Sequence, residues 1–132
     1  MPIAARILSC ALACAVAAGC GGGSGGGEHY SADATASCLA ENGASVDPGN
    51  RVDVLAIRSG AEEGAVRAKF GSKELILSFS ADADAAQDVQ SAYEPFSDSN
   101  VVGDLERKGN AVLAWTDSPS DDERQTAEDC LR

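Results

Sequence analysis

Asp82, Asp84 and Asp88 are the residues whose type and spacing come nearest to chemistry, because a DxD pair brings two carboxylates towards one hard cation. A calcium loop counted from Asp82 wants glycine at its sixth position and glutamate at its twelfth, where this chain has Gln87 and Tyr93. Acids at the start of a helix are also what the helix dipole favours, so capping competes with metal binding for all three. The same competition applies to Asp121, Asp122 and Glu123, which follow Pro119. His29 is the single histidine and stands beside a glycine-rich stretch with nothing to orient it. That argues against a Ser-His-acid hydrolase and against a zinc site, which take an oriented imidazole and several His or Cys ligands. A carboxylate-based hydrolase is kept as an alternative, although two acids facing each other across a glycosidase cleft ask for more walls than a small domain supplies. Gly71, Ser72 and Lys73 lack the GxxxxGK[ST] frame of a phosphate loop. The expectation is a non-enzyme without a cofactor.

Cysteine is the other reactive residue, at positions 10, 14, 20, 38 and 130. Cys10 and Cys14 lie in an apolar run, Ile7 to Ala18, that carries no charge after Arg6. A positive residue, a run of about 12 apolar residues and then small residues is the pattern of an export signal, and it is too short for a membrane span of about 20. The run Ala17, Ala18, Gly19, Cys20 resembles the lipobox of bacterial lipoproteins, with Ala17 where the family usually has leucine. The resemblance implies cleavage before Cys20, a diacylglyceryl group on its thiol and an extracytoplasmic, membrane-anchored protein. Ordinary secretion after cleavage near Ala17 or Gly19 is the alternative, and it strands Cys20 as an odd thiol. With Cys10 and Cys14 removed and Cys20 acylated, Cys38 and Cys130 remain as an even pair in an oxidising compartment, where a disulfide is expected.

Three segments follow: a signal peptide over 1–19, the lipidated cysteine and a tether over 20–27, and one globular domain over 28–132. Gly21 to Gly27, broken only by Ser24, has no side chain able to bury apolar surface and spans roughly 15 Å as a random coil. The remaining 105 residues suffice for one modest core. Without Arg6 they hold nine Lys and Arg against 21 Asp and Glu, a formal charge of −12. Such a field repels phosphate backbones, so nucleic acid is not an expected partner.

Within the domain, Ser31 and Gly43 bracket a helix over Ala32 to Asn42 that turns Cys38 inward. Gly43 to Asn50 has loop chemistry, with a turn at Pro48 and Gly49, and Arg51 to Arg58 fits either a short strand or a helical turn, leaning towards strand on Val52, Val54 and Ile57. Val66, Ala68 and Phe70 alternate with Arg67 and Lys69, and Leu75, Leu77 and Phe79 share one side after a Gly71–Ser72 turn, so Ala65 to Ser80 reads as a hairpin. A helix from about Asp82 to Glu94 buries Ala85, Ala86, Val89, Ala92 and Tyr93 before Pro95 ends it. A second hairpin joins Val101 to Arg107, with Val101, Gly103 and Leu105 inward, to Ala111 to Thr116, and Ser118 caps a last helix to about Leu131. Leu75, Leu77 and Phe79 superpose on Ala111, Leu113 and Trp115 at an offset of 36, a weak strand-strand-helix repeat.

The expected fold is therefore α+β: a two-layer sandwich with a four-stranded antiparallel sheet, helices on one face and an N-terminal helix. Trp115, Phe70 and Phe79 are expected in its core, with Tyr93 and Phe96 packing at the end of the middle helix. Arg67, Lys69, Ile76, Ser78, Val102, Asp104 and Glu106 would occupy the open face, available to solvent or a partner. A lipid-anchored, non-catalytic binding or accessory protein of the cell envelope is the leading functional expectation, its protein partner unnamed. The rival is an acidic surface protein that binds or buffers cations.

Overall fold

The computed structural model describes residues 28–47, 59–98 and 101–132. The signal, lipobox and tether readings, the turn at Pro48 and the strand expected over Arg51 to Arg58 lie outside the described residues. Among the described residues, no helix is long and apolar enough to cross a membrane.

The fold is α+β: among the described residues three helices stand against one open antiparallel sheet of five strands in the order β1-β2-β3-β5-β4. Helix α1 (Ala32–Glu41) starts where the Ser31 hydroxyl accepts from Ala34 N–H, and the chain turns at Gly43, whose φ of 88° suits glycine. The next residues form β1 (Ser45–Val46), which pairs with Lys69 and Ala68. This fifth strand corrects the loop expected from Gly43 onward; two residues are too short to display a period.

Strands β2 (Gly64–Phe70) and β3 (Lys73–Phe79) make the expected hairpin, closed at Gly71 with φ 62° and held in register over seven pairs. Helix α2 (Ala83–Asp98) opens with the Asp82 carboxylate accepting from Ala85 N–H. It runs through Pro95 rather than stopping before it. Proline removes one backbone donor there, and the carbonyl that loses its partner belongs to Ser91 on the exposed side, where water can replace it. Strands β4 (Asp104–Lys108) and β5 (Ala111–Trp115) form the second hairpin. Helix α3 (Asp121–Asp129) is capped by Ser120, two residues after the expected Ser118, because Ser120 and Glu123 exchange backbone and side-chain hydrogen bonds in a capping box.

The helices do not share a face, which corrects the two-layer arrangement. Leu75, Leu77, Phe79, Ala111, Leu113 and Trp115 lie on one side of the sheet in a cluster with Cys38, Leu39, Ala127 and Cys130 from α1 and the α3 end. Val112 and Ala114, with Ile76 packed against them, lie on the other in a cluster with Ala86, Val89 and Tyr93 from α2. The cause is β5, AVLAW, which is buried at all five positions: a strand that is apolar at both parities needs cover on both faces. The strand-strand-helix repeat therefore holds in its strands and fails in its helices. The supposedly open face loses Ile76 and Ser78, the latter fully buried, to the α2 side.

The second hairpin also differs in register. Asp104 and Glu106 pair with Trp115 and Leu113, so these acids point to the α1/α3 side while Leu105 joins the α2 side. Val101 precedes the strand and is 59% exposed, not inward.

Candidate functional site

The best-defined cluster of functional groups binds α3 to the sheet edge. Arg124 bridges Asp104 and Glu106, Lys108 reaches Glu128 at 2.8 Å and Glu106 at 3.6 Å, and Lys73 reaches Glu123 at 2.7 Å. The hydrogen bond with Glu128 holds the Lys108 ammonium above its ordinary value, and that with Asp104 does the same for Arg124. Lys73 holds the Glu123 carboxyl below its ordinary value. Each group is matched by an opposite charge, so the cluster fastens α3 to the sheet edge. Behind it, Cys38 and Cys130 are joined as a disulfide, 92 residues apart in sequence with Cα atoms 5.3 Å apart. The Asn42 amide lies 3.6 and 3.7 Å from the two sulfurs while donating to the Cys38 carbonyl at 2.8 Å.

The remaining candidates separate. His29 Nε2 lies 2.9 Å from Glu63, in a pair 58% and 40% exposed. Asp82 caps α2, and Asp84 and Asp88 project from its exposed side. Asp121 and Asp122 stand in the first turn of α3, while Glu123 is taken by Ser120 and Lys73. Among the described residues no three metal-capable side chains converge. Phe79 and Trp115 are fully buried, and Phe70 stacks obliquely on Trp115 with ring centroids 5.3 Å apart.

One pole of the domain is built around Asn110. Its amide accepts from Tyr30 N–H at 2.6 Å and donates to the Tyr30 and Ser80 carbonyls, while its own N–H donates to the Glu28 carbonyl. Glu28 comes so close that a Cβ on Gly109 would collide with its carbonyl, and Gly109 has φ 52° as well. Ser31 N–H donates to the Arg132 carbonyl. Residue 28, which follows the glycine run, is thus fixed at the β4–β5 turn. The Tyr30 hydroxyl donates to Glu28, which pushes its pKa up to about 12.

At the opposite pole an apolar notch of about 280 Å³ opens between the C-terminal part of α2 and the sheet. Ile76, Tyr93, Phe96, Val101, Val102 and Ala114 line it, with Thr116 at its polar end. Tyr93 and Val102 are buried, whereas Phe96 stays 39% exposed. Sequence reasoning missed this notch by placing Val101 inside a strand; the signal was the adjacent pair Val101–Val102, which no alternating strand can bury on one side. A wider groove of about 730 Å³ lies between α1 and β2, with Ala32, Ala36, Ala40 and Ala65 among its lining residues. Compared with family models, with curated proteins and with solved structures, the chain has no match.

Proposed function

We propose that this protein is a lipid-anchored, extracytoplasmic binding or accessory protein of the cell envelope that performs no catalysis. The observation that carries the reading is the run Ala17, Ala18, Gly19, Cys20 after an uncharged apolar stretch, followed at once by a glycine tether. In this reading a signal over 1–19 is removed, Cys20 carries the acyl chains and residues 28–132 form the displayed domain. Two or more acyl chains, at about 0.8 kcal/mol per buried methylene, hold such a domain at a bilayer where one chain does not. The Cys38–Cys130 bridge is the kind of staple that persists outside a reducing cytosol and so supports export. The fixing of Glu28 at one pole supports a display role, because it turns the tether into a defined attachment point. The ion pairs serve cohesion, and the acid starts of α2 and α3 serve as caps, which favours binding over cation storage.

Replacing the acyl acceptor tests the reading. Cys20→Ser is expected to give either an uncleaved precursor or a soluble domain, and mass spectrometry of the wild-type amino terminus is expected to find an acylated Cys20. Unchanged membrane fractionation and processing of Cys20→Ser, with no acyl mass on the native protein, would remove it.

A further inference from the structure

The geometry points to the notch between α2 and the sheet as a docking surface for a basic polypeptide that inserts one or two large apolar side chains. The inference rests on the display reading for its orientation, and on the notch itself for its chemistry.

Size selects the class of occupant. A resident small molecule is usually enclosed in about 300 to 1,000 Å³ and loses most of its surface to the protein. At about 280 Å³, open beside a half-exposed Phe96 and an exposed Val101, this notch suits the end of a side chain delivered by a larger body. Its walls are carbon from Ile76, Val101, Val102 and Ala114, and Thr116 marks one end. Such a pocket is the kind in which an aromatic or aliphatic anchor concentrates binding energy.

Charge selects the partner's sign. The exposed side of α2 carries Asp84, Asp88 and Glu94, and the helix contains no Lys or Arg. Asp117, exposed, is the next residue after Thr116, which lines the notch. Arg67, Lys73, Lys108 and Arg124 are committed to Glu74, Glu123, Glu128 and Asp104, and one base, Arg107, reaches α2, donating to Gln90 and to the Ala83 carbonyl. Along the helix that ends at the notch, three exposed carboxylates, Asp84, Asp88 and Glu94, thus face the single guanidinium of Arg107, an excess of acid. A basic chain would be steered there, and an acidic one repelled.

Position makes the surface useful. Glu28 is held beside Asn110 at the Phe79–Ala111 end of the sheet, whereas the notch adjoins Trp115 and Thr116 at the other. At a strand rise of about 3.4 Å per residue, roughly 15 to 20 Å separate the two poles. A domain tethered through Glu28 holds its notch away from the bilayer.

The test titrates the full chain, purified in detergent, with three labelled synthetic peptides: one patterned with Lys and Leu, one with Glu replacing Lys, and one with Ser replacing Leu. Fluorescence anisotropy is expected to show binding of the first alone. Val101→Asp and Val101→Lys should both weaken it at least tenfold, because each puts charge into the notch whatever its sign, and Val101 is exposed enough for the fold to survive. The triple substitution D84N/D88N/E94Q should weaken it about tenfold at low salt and flatten its salt dependence, while Glu41→Gln should leave it unchanged. Binding as tight as wild type by both Val101 variants, or no binding of the Lys and Leu peptide at millimolar concentration, overturns the inference. A chain that stays on membranes and binds no peptide removes the notch alone; a Cys20→Ser chain that fractionates as wild type removes the anchor alone.

Discussion

On one face of the sheet, Leu75, Leu77, Phe79, Leu113 and Trp115 lie under two helices joined by a disulfide and ringed by ion pairs. On the other, Ile76, Val112 and Ala114 lie under α2, which brings Ala86, Val89 and Tyr93. The first face buries large side chains, each stabilising the fold by about 1.5 to 3 kcal/mol, and then adds covalent and ionic fastening. The second mixes alanine and valine with Ile76 and Tyr93, has no covalent tie among the described residues, and ends in a notch. Cohesion and accessibility are thus divided between faces. That division is why the proposed docking surface is placed on the α2 side and not on the strongly charged α3 side.

The strongest way to break the comparison is to remove the staple. By chain-entropy scaling, a bridge across 92 residues is worth about 4 to 5 kcal/mol. The double variant C38S/C130S is expected to lose about 3 to 5 kcal/mol in urea unfolding, with a fall in melting temperature of roughly 15 to 25 °C. Hydrogen exchange should locate the loss. Amides of α1 and α3 are expected to lose protection first, with those of α2 following only at global unfolding. An equal drop in both would make the two faces one cooperative unit and end the distinction.

A smaller effect separates the faces by pH. Glu123 is held below its ordinary value of 4.5 by Lys73, so its contribution is present above that value and is lost as pH falls through the depressed one. Lys108 is held above 10.5 by Glu128, so its contribution is complete below 10.5 and is lost as pH rises through the raised value. Tyr30 adds to the alkaline loss between pH 10 and about 12. All of these groups lie on the α1/α3 side or at the Asn110 pole, and none lies on α2. Urea midpoints measured across pH should therefore fall at both extremes. Glu123→Gln should flatten the acid arm alone, and Lys108→Met the alkaline arm. Ultraviolet titration should find one of the two tyrosines ionising near pH 12. A symmetrical loss in both variants would show that the lattice does not act through these pairs.

Local signals explain which parts of this architecture the sequence revealed. The Gly71 turn between two alternating runs, the Ser31 cap with Gly43 past the end, and two cysteines placed on the first and last helices each depend on neighbours in the chain, and each recurs in the structure. Burial on both faces of β5 was present in AVLAW, yet Leu113 and Trp115 also fit an alternating strand, and period alone does not separate the two. The shift that turns Asp104 and Glu106 inward is invisible locally, because it is decided by Arg124 and Lys108 across the β4 edge. The notch needed the meeting of α2 and the sheet, and residues as far apart as Ile76, Phe96 and Ala114 form it.

Ser78 offers the finest test of the contrast. It is fully buried on the α2 side opposite Val112, and its hydroxyl has no hydrogen-bond partner among the described residues. A buried hydroxyl without a partner contributes desolvation cost and no compensating bond, so deleting it should be close to neutral. Ser78→Ala is expected to change unfolding free energy by no more than about 0.5 kcal/mol, in the stabilising direction if in either. Replacement of a partnered side chain behaves differently: Asn110→Ala at the opposite pole strips hydrogen bonds from Tyr30 and Ser80 and is expected to cost about 1 to 3 kcal/mol. A loss above 1 kcal/mol for Ser78→Ala would mean that the hydroxyl is satisfied by a buried water. The α2 face would then be held by a polar link of its own, and the contrast with the stapled face would shrink to the disulfide.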